Sequence, residues 1–222
     1  MTTPISDAGA PQAQPRAESF LDWFHVNSRY VAMGAAAVAI ALLGAWYVQR
    51  KSLNESISAD RKLATAKQSL GTGNLPLAES DLSKVADQYA SKPSGAEAGL
   101  LLGQLRIGKG DYAGAVTGLR SLAEKIGDGP AAAQARALMG DALLQGAKPA
   151  EAAVEYEAAA ARTKMSNEKS FFQAKAARAY SVAGRNPEAK RIWQALADQS
   201  DNEALATEAR VRIGELSATG AM

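Results

Sequence analysis

No cysteine occurs in the 222 residues, which excludes disulfides, thiolate metal centres, thiol nucleophiles and a lipid-modified N-terminal cysteine together. Histidine is almost missing as well. Its one copy, His25, stands between Phe24 and Val26 just before a long apolar run, the setting of an interfacial side chain rather than of a catalytic base. Aromatics are scarce, with 4 Phe and 3 Trp, so the core must be built from small and aliphatic side chains, as in closely packed helical hairpins. Net charge is only +2, and no Lys/Arg stripe interleaves with aromatics, so nucleic acid is not an expected partner. There is no glycine-rich phosphate loop, and the carboxylates are scattered over helix surfaces. No catalytic, cofactor-binding or metal-binding residue is assigned, and an enzyme is not expected.

Charge is missing altogether from Tyr30 to Val48, 19 residues that span about 28 Å as a helix, close to the hydrocarbon thickness of a bilayer. Trp23, Phe24 and Tyr30 lie at one end and Trp46 and Tyr47 at the other, where amphipathic rings prefer the water interface. The 29 preceding residues are long and hardly basic, and Trp46-Tyr47-Val48-Gln49 is a poor cleavage site, so an uncleaved spanning helix is expected over a signal peptide. Its Gly34, Ala37, Ala41 and Gly44 fall on one face, the pattern of a close-packing surface between membrane helices; with 7 Ala and 2 Gly in the run, some alignment of this kind is inevitable. Residues 1–18 read as a disordered tail, 19–50 as an interfacial segment plus the membrane helix, and 51–58 as a linker or a helix extension.

From residue 59 to the end the chain repeats every 37 positions. One small set is Ala66, Gly103, Gly140 and Ala177, with Gly214 one step further; a second is Gly73, Gly110, Ala147 and Gly184; a third is Ala78, Ala115, Ala152 and Ala189. A bulky set, Leu82, Leu119, Tyr156 and Trp193, follows four residues after the third. A fixed period of this size marks a solenoid whose units bury their apolar faces against their neighbours. The second unit shows the plan. Ala96 to Ile107 is apolar on one helical face, Gly108-Lys109-Gly110-Asp111 breaks it, and Tyr112 to Ile126 resumes with Ala115, Val116, Leu119 and Leu122. Gly110 can take the left-handed conformation that ends a helix, and Asp111 can cap the next. Pro149 and Pro187 are suited to a first helical turn. An all-α protein follows, with units near 59–95, 96–132, 133–169 and 170–206, a capping helix at 201–216 and a tail at 217–222.

The order Gly103, Gly110, Tyr112, Ala115, Leu119, Leu122 resembles the tetratricopeptide repeat, although the unit is three residues longer than usual and Gly99, Arg136 and Gln173 stand where that repeat has Trp. The resemblance implies an α-solenoid of about four tetratricopeptide-like helical hairpins plus a capping helix over 59–218. The whole layout resembles the bacterial ancillary SecYEG translocon subunit family: a polar N-terminus, the aromatic entry Leu21-Asp22-Trp23-Phe24-His25-Val26-Asn27, one apolar run closing in Ala45-Trp46-Tyr47-Val48-Gln49-Arg50-Lys51, then a repeat domain. That resemblance implies a single-span inner-membrane protein with a periplasmic domain, whose partners are translocon subunits, exported chains or periplasmic chaperones. The charge flanks point the other way. Arg16 and Arg29 precede the apolar run, whereas Arg50, Lys51, Arg61, Lys62 and Lys67 follow it, which by the positive-inside rule favours a cytoplasmic domain.

The resemblance further implies that the first helix of each hairpin lines a concave face. In this register Leu100, Leu101, Gln104, Leu138, Asp141, Lys175 and Arg178 form a candidate protein-binding groove, apolar in the centre and charged at the edges. The Lys and Asn pattern that grips a C-terminal carboxylate is missing. The leucines have two readings: an open groove for an extended or helical segment of another protein, or core packing between hairpins. A membrane-tethered interaction module of the export machinery is the leading expectation, and a structural subunit of an energy-transducing or envelope and division complex the alternative.

Overall fold

The computed structural model describes residues 28–198 and 202–219. The expected N-terminal tail and His25 lie outside the described residues. Among those described, every regular element is a helix: α1 (Ser28–Gly71), α2 (Leu75–Gln88), α3 (Pro93–Gly108), α4 (Tyr112–Ile126), α5 (Pro130–Gln145), α6 (Pro149–Arg162), α7 (Ser166–Val182), α8 (Asn186–Ala197) and α9 (Glu203–Thr219). From α2 onwards consecutive helices pack on one another in chain order, and α3 also touches α5. The architecture is a solenoid of helical hairpins.

The turns explain the period. Gly73, Gly110 and Gly184 hold φ of +76°, +78° and +73°, and Ala147 holds φ 58° at the matching step of the third hairpin. This left-handed residue ends each first helix and sends the chain back. Asp111 then accepts from the Gly114 amide at 2.9 Å, and Asn74 accepts from the Leu77 amide at 3.3 Å, which satisfies donors that a helix N-terminus leaves open. Pro149 opens α6, and Pro187 is the second residue of α8, where a missing N–H costs nothing. The first helix of the second hairpin starts at Pro93 rather than at Ala96. Gly95 lets it do so, because a Cβ there would come within 1.9 Å of the Tyr89 carbonyl oxygen.

Within each hairpin the recurrent small residue receives the recurrent bulky one. A Cβ on Gly103 would meet Leu119 side-chain atoms at 2.6–2.9 Å, and one on Gly140 would meet the Tyr156 ring at 2.5–2.8 Å. Leu82, Leu119, Tyr156 and Trp193 are all fully buried. Glycine and alanine at these crossings substitute close helix approach for aromatic bulk, as a close-packed core with so few rings requires.

The contacts of the chain divide it after Leu53. Before that point α1 is apolar and exposed at Met33, Ile40, Leu42, Leu43, Trp46 and Tyr47, and nothing lies within 4 Å of a Cβ placed on Gly34 or Gly44. Ala37 and Ala41 are exposed too. Among the described residues α1 is the one helix long and apolar enough to cross a membrane. After residue 53 the same helix buries Ala59, Leu63 and Ala66 against Leu82, Val85, Ala98 and Leu102. It thus supplies the first helix of the first hairpin, with no break over residues 51–58.

Candidate functional site on the first-helix face

The first helices of successive hairpins are stitched together by side chains 30 or 34 residues apart. Lys67 Nζ reaches Glu97 at 2.5 Å, Lys175 Nζ reaches Asp141 at 2.6 Å, and Arg178 Nη2 reaches Glu208 at 2.6 Å. Ser94 donates to Asp60 in the same manner. Pairs of this sort, exposed or half-buried at the surface, contribute about 0–1 kcal/mol each, so the ladder sets the register of the face more than it stabilises the fold. Between α3 and α5 the equivalent positions are Gln104 and Gln134, both exposed and uncharged. The middle of the face is therefore neutral.

Beside these amides lie the leucines. Leu100 and Leu138 are half-buried and pack against the cluster of Leu119, Leu122 and Met139, while Leu101 packs against that of Leu63, Leu82 and Val85. Each has one side in the core and the other towards solvent. Gln104 and Arg178 are exposed; Asp141 and Lys175 are half-buried.

The third and fourth hairpins add a feature that sequence register alone misses. The Tyr156 hydroxyl, on a second helix, reaches the first-helix face and donates to Asp141 Oδ1 at 2.6 Å, the oxygen that also accepts from Lys175. Burial, and then the hydrogen bond to Asp141, push the Tyr156 hydroxyl well above the usual phenol range. The Lys175 ammonium lies 5.0 Å from the Tyr156 ring centre and 5.6 Å from that of Phe171, and Phe171 is 54% exposed. One signal was present in the sequence: Gly140 precedes Asp141, and its missing side chain is what lets the Tyr156 ring through. The result is an aromatic and cationic step at one end of a neutral, half-apolar strip.

Glu79 is held below the ordinary carboxylate range by hydrogen bonds from Lys109 and Arg106, against an opposing effect of burial, and a cleft of about 180 Å³ lies over Gly99 and Gly103 between Asp87, Arg106 and Lys125.

A solenoid of two-helix units with small residues at the crossings and a left-handed turn residue in each defines a tetratricopeptide-like scaffold. Two overlapping stretches, residues 22–136 and 62–179, match the family model of the tetratricopeptide repeat-like domain, and the chain belongs to that family. Among solved structures it is similar to the nearly identical TPR-like repeats of a kinesin light chain candidate from Podosopora anserina, with 17% identity and a TM-score of 0.54 over 72% of this chain and 86% of that one. A point-substituted form of the same fungal protein gives 17% identity and a TM-score of 0.53, with the same coverage of 72% and 86%. At this identity the likeness is one of fold. No curated protein matches the chain. Domains of this class are protein-interaction scaffolds, typically without catalysis of their own.

Proposed function

We propose that the chain is a membrane-anchored protein–protein interaction module, an ancillary or chaperone-like subunit of the bacterial protein-export translocon with its repeat domain in the periplasm. The observation that carries the reading is the coexistence of one exposed apolar helix of membrane-spanning length with a tetratricopeptide-like array whose central first-helix face is neutral and lined by half-exposed leucines. Anchoring holds the domain near the bilayer, so a weak, poorly selective groove meets emerging chains at high effective concentration. The basic flank weighs less against this topology than its count implies. Lys62 donates to Gln88 at 2.9 Å and lies over the Tyr89 ring, and Lys67 pairs with Glu97, so both serve the repeat fold. Arg50, Lys51 and Arg61 stay exposed and favour a cytoplasmic domain, a placement that the second reading, a structural subunit of another membrane complex with its domain on either side, accommodates.

Two measurements decide. Alkaline phosphatase fused after Met222 is expected to be active in the periplasm; an inactive fusion beside an active cytoplasmic reporter at the same site sinks the export reading. Photoreactive residues at positions 101 and 138 are expected to crosslink to translocon subunits, exported chains or periplasmic chaperones in cells. Crosslinks confined to respiratory or division proteins favour the second reading.

A further inference from the structure

Helix α9 has the register of a first helix, but among the described residues no second helix lies over its outer face as one does over every other first helix. Gly214 lies one 37-residue step beyond Ala177, and Thr207 and Ser217 fall in two further columns of the repeat. The column of Thr207 is buried in all four earlier units, at Ala59, Ala96, Ala133 and Ser170. The column of Ser217 is buried at Ser69, Leu143 and Tyr180 and half-buried at Arg106. In α9 both residues are exposed, as is Gly214. A Cβ built on Gly214 meets nothing within 4 Å, whereas Gly103 and Gly140 are closed by Leu119 and Tyr156. The opposite side of α9, with Ala209, Ile213 and Leu216, packs on the Trp193 cluster.

A solubilising end cap accounts for polar residues on an outer face. It does not account for Gly214. An exposed glycine inside a helix costs about 1 kcal/mol relative to alanine, and no described atom uses the space it leaves. Arg210 supplies an independent indication. It is two repeat steps from Arg136, whose Nη1 donates to Glu155 Oε2 at 2.8 Å; Glu155 directly precedes Tyr156, the residue that closes Gly140. Only α5 and α9 combine an arginine with a glycine four residues on in these columns, since the others read Lys62/Ala66, Gly99/Gly103 and Gln173/Ala177. Arg210 is exposed and forms no ion pair among the described residues, whereas its neighbour Arg212 pairs with Glu208 and Glu215.

We propose that the outer face of α9 is a docking socket for a helix of another protein that carries an acidic residue immediately before a large aromatic or aliphatic one. The guest lies on α9 as α6 lies on α5, with its large side chain over Gly214 and its carboxylate on Arg210. A second copy of α9 fits poorly: an antiparallel crossing at Gly214 sets Arg210 against Ala218, and a parallel one sets Arg210 against Arg210. This surface is distinct from the leucine-lined face, so it stands or falls independently of the function proposed above.

The probe is a peptide with the sequence of residues 149–162, the chain's own α6, made helical by a hydrocarbon staple replacing the exposed Val154 and Ala161, because an unsupported helix of this length is marginal in water. Its binding to the full chain in detergent micelles is read by fluorescence anisotropy. Saturable binding is expected, weakened at least tenfold by Gly214→Leu, which fills the socket, and at least tenfold by Arg210→Glu. A peptide carrying Glu155→Lys is expected to bind the Arg210→Glu chain better than the unaltered chain. Both substitutions lie on an exposed face, and the charge swap retains its meaning if Gly214→Leu perturbs the helix. Absence of saturable binding overturns the proposal, as does binding that neither variant changes, which would mean that the peptide exchanges with α6 inside the array.

Discussion

The turn of the third hairpin carries a cost the other three avoid. Ala147 holds φ 58° where its counterparts are glycines, and a left-handed L-residue with a Cβ is disfavoured by about 1–2 kcal/mol. Glycine removes that strain but gives the unfolded chain more freedom, worth about 0.4–1 kcal/mol the other way. Ala147→Gly is therefore expected to stabilise the domain by about 0.5–1 kcal/mol, read as a raised midpoint in thermal or urea unfolding; a lowered midpoint contradicts the argument. The opposite sign holds at Gly140, whose missing Cβ is occupied by the Tyr156 ring. Gly140→Leu is expected to cost about 1–3 kcal/mol by overpacking, and an unchanged melting curve would show that the two helices do not meet there.

At the scale of elements, tyrosine hydroxyls tie helices to one another. Tyr156 of α6 donates to Asp141 of α5, and Tyr180 of α7 donates to Glu157 of α6 at 2.6 Å. Burial, then the carboxylate partner, raises both phenols, Tyr180 to about 12. An unfolded tyrosine ionises near pH 10. A raised pKa means that the fold favours the protonated phenol, so this stabilisation is complete below about pH 10 and is lost as pH rises from there through about 12. Ultraviolet titration is expected to show two tyrosines ionising late, with unfolding in the same window, and Tyr180→Phe is expected to flatten the pH dependence of stability. All phenols titrating together near pH 10 in the folded protein would refute this.

These ties also mark where sequence reading stops. The helix-turn-helix plan was visible because its signals are local: Gly110 beside Asp111, Pro149 at the start of α6, and small and bulky columns at a constant separation. The third turn was less transparent, because Gly146 and Ala147 are adjacent and the register assigns the left-handed conformation to the alanine, leaving Gly146 at φ −79°. The start of α3 depended on a carbonyl six residues before Gly95, which no periodicity records. On the first-helix face, Asp141 and Lys175 were placed by register, but their meeting with Tyr156 depends on how closely α5 and α6 approach. Whether a leucine is core or groove was not legible at all, because Leu100, Leu101 and Leu138 are each partly both.

For the molecule as a whole, the units after residue 53 contain their own interfaces, and the inner face of α9 closes the Trp193 cluster. Residues 52–222 are accordingly expected to fold as a soluble, helical domain once the apolar part of α1 is removed. Circular dichroism checks this: a helical spectrum with one cooperative melt is expected, and a strand-rich or unordered spectrum rules it out.

Tandem repeats run a risk that unique folds do not, since neighbouring units resemble one another closely enough to trade helices during folding. The bulky column bears on that risk. It runs Leu82, Leu119, Tyr156, Trp193 against Ala66, Gly103, Gly140 and Ala177, so no two hairpins share the same pair of volumes. Leu119 lodged on Gly140 would leave a void where a phenol ring belongs, and Trp193 forced onto Ala66 would not fit the room that Leu82 occupies. The third and fourth hairpins thus recognise their own second helices by size, a proofreading device that the first two, both with leucine in the bulky column, lack between themselves.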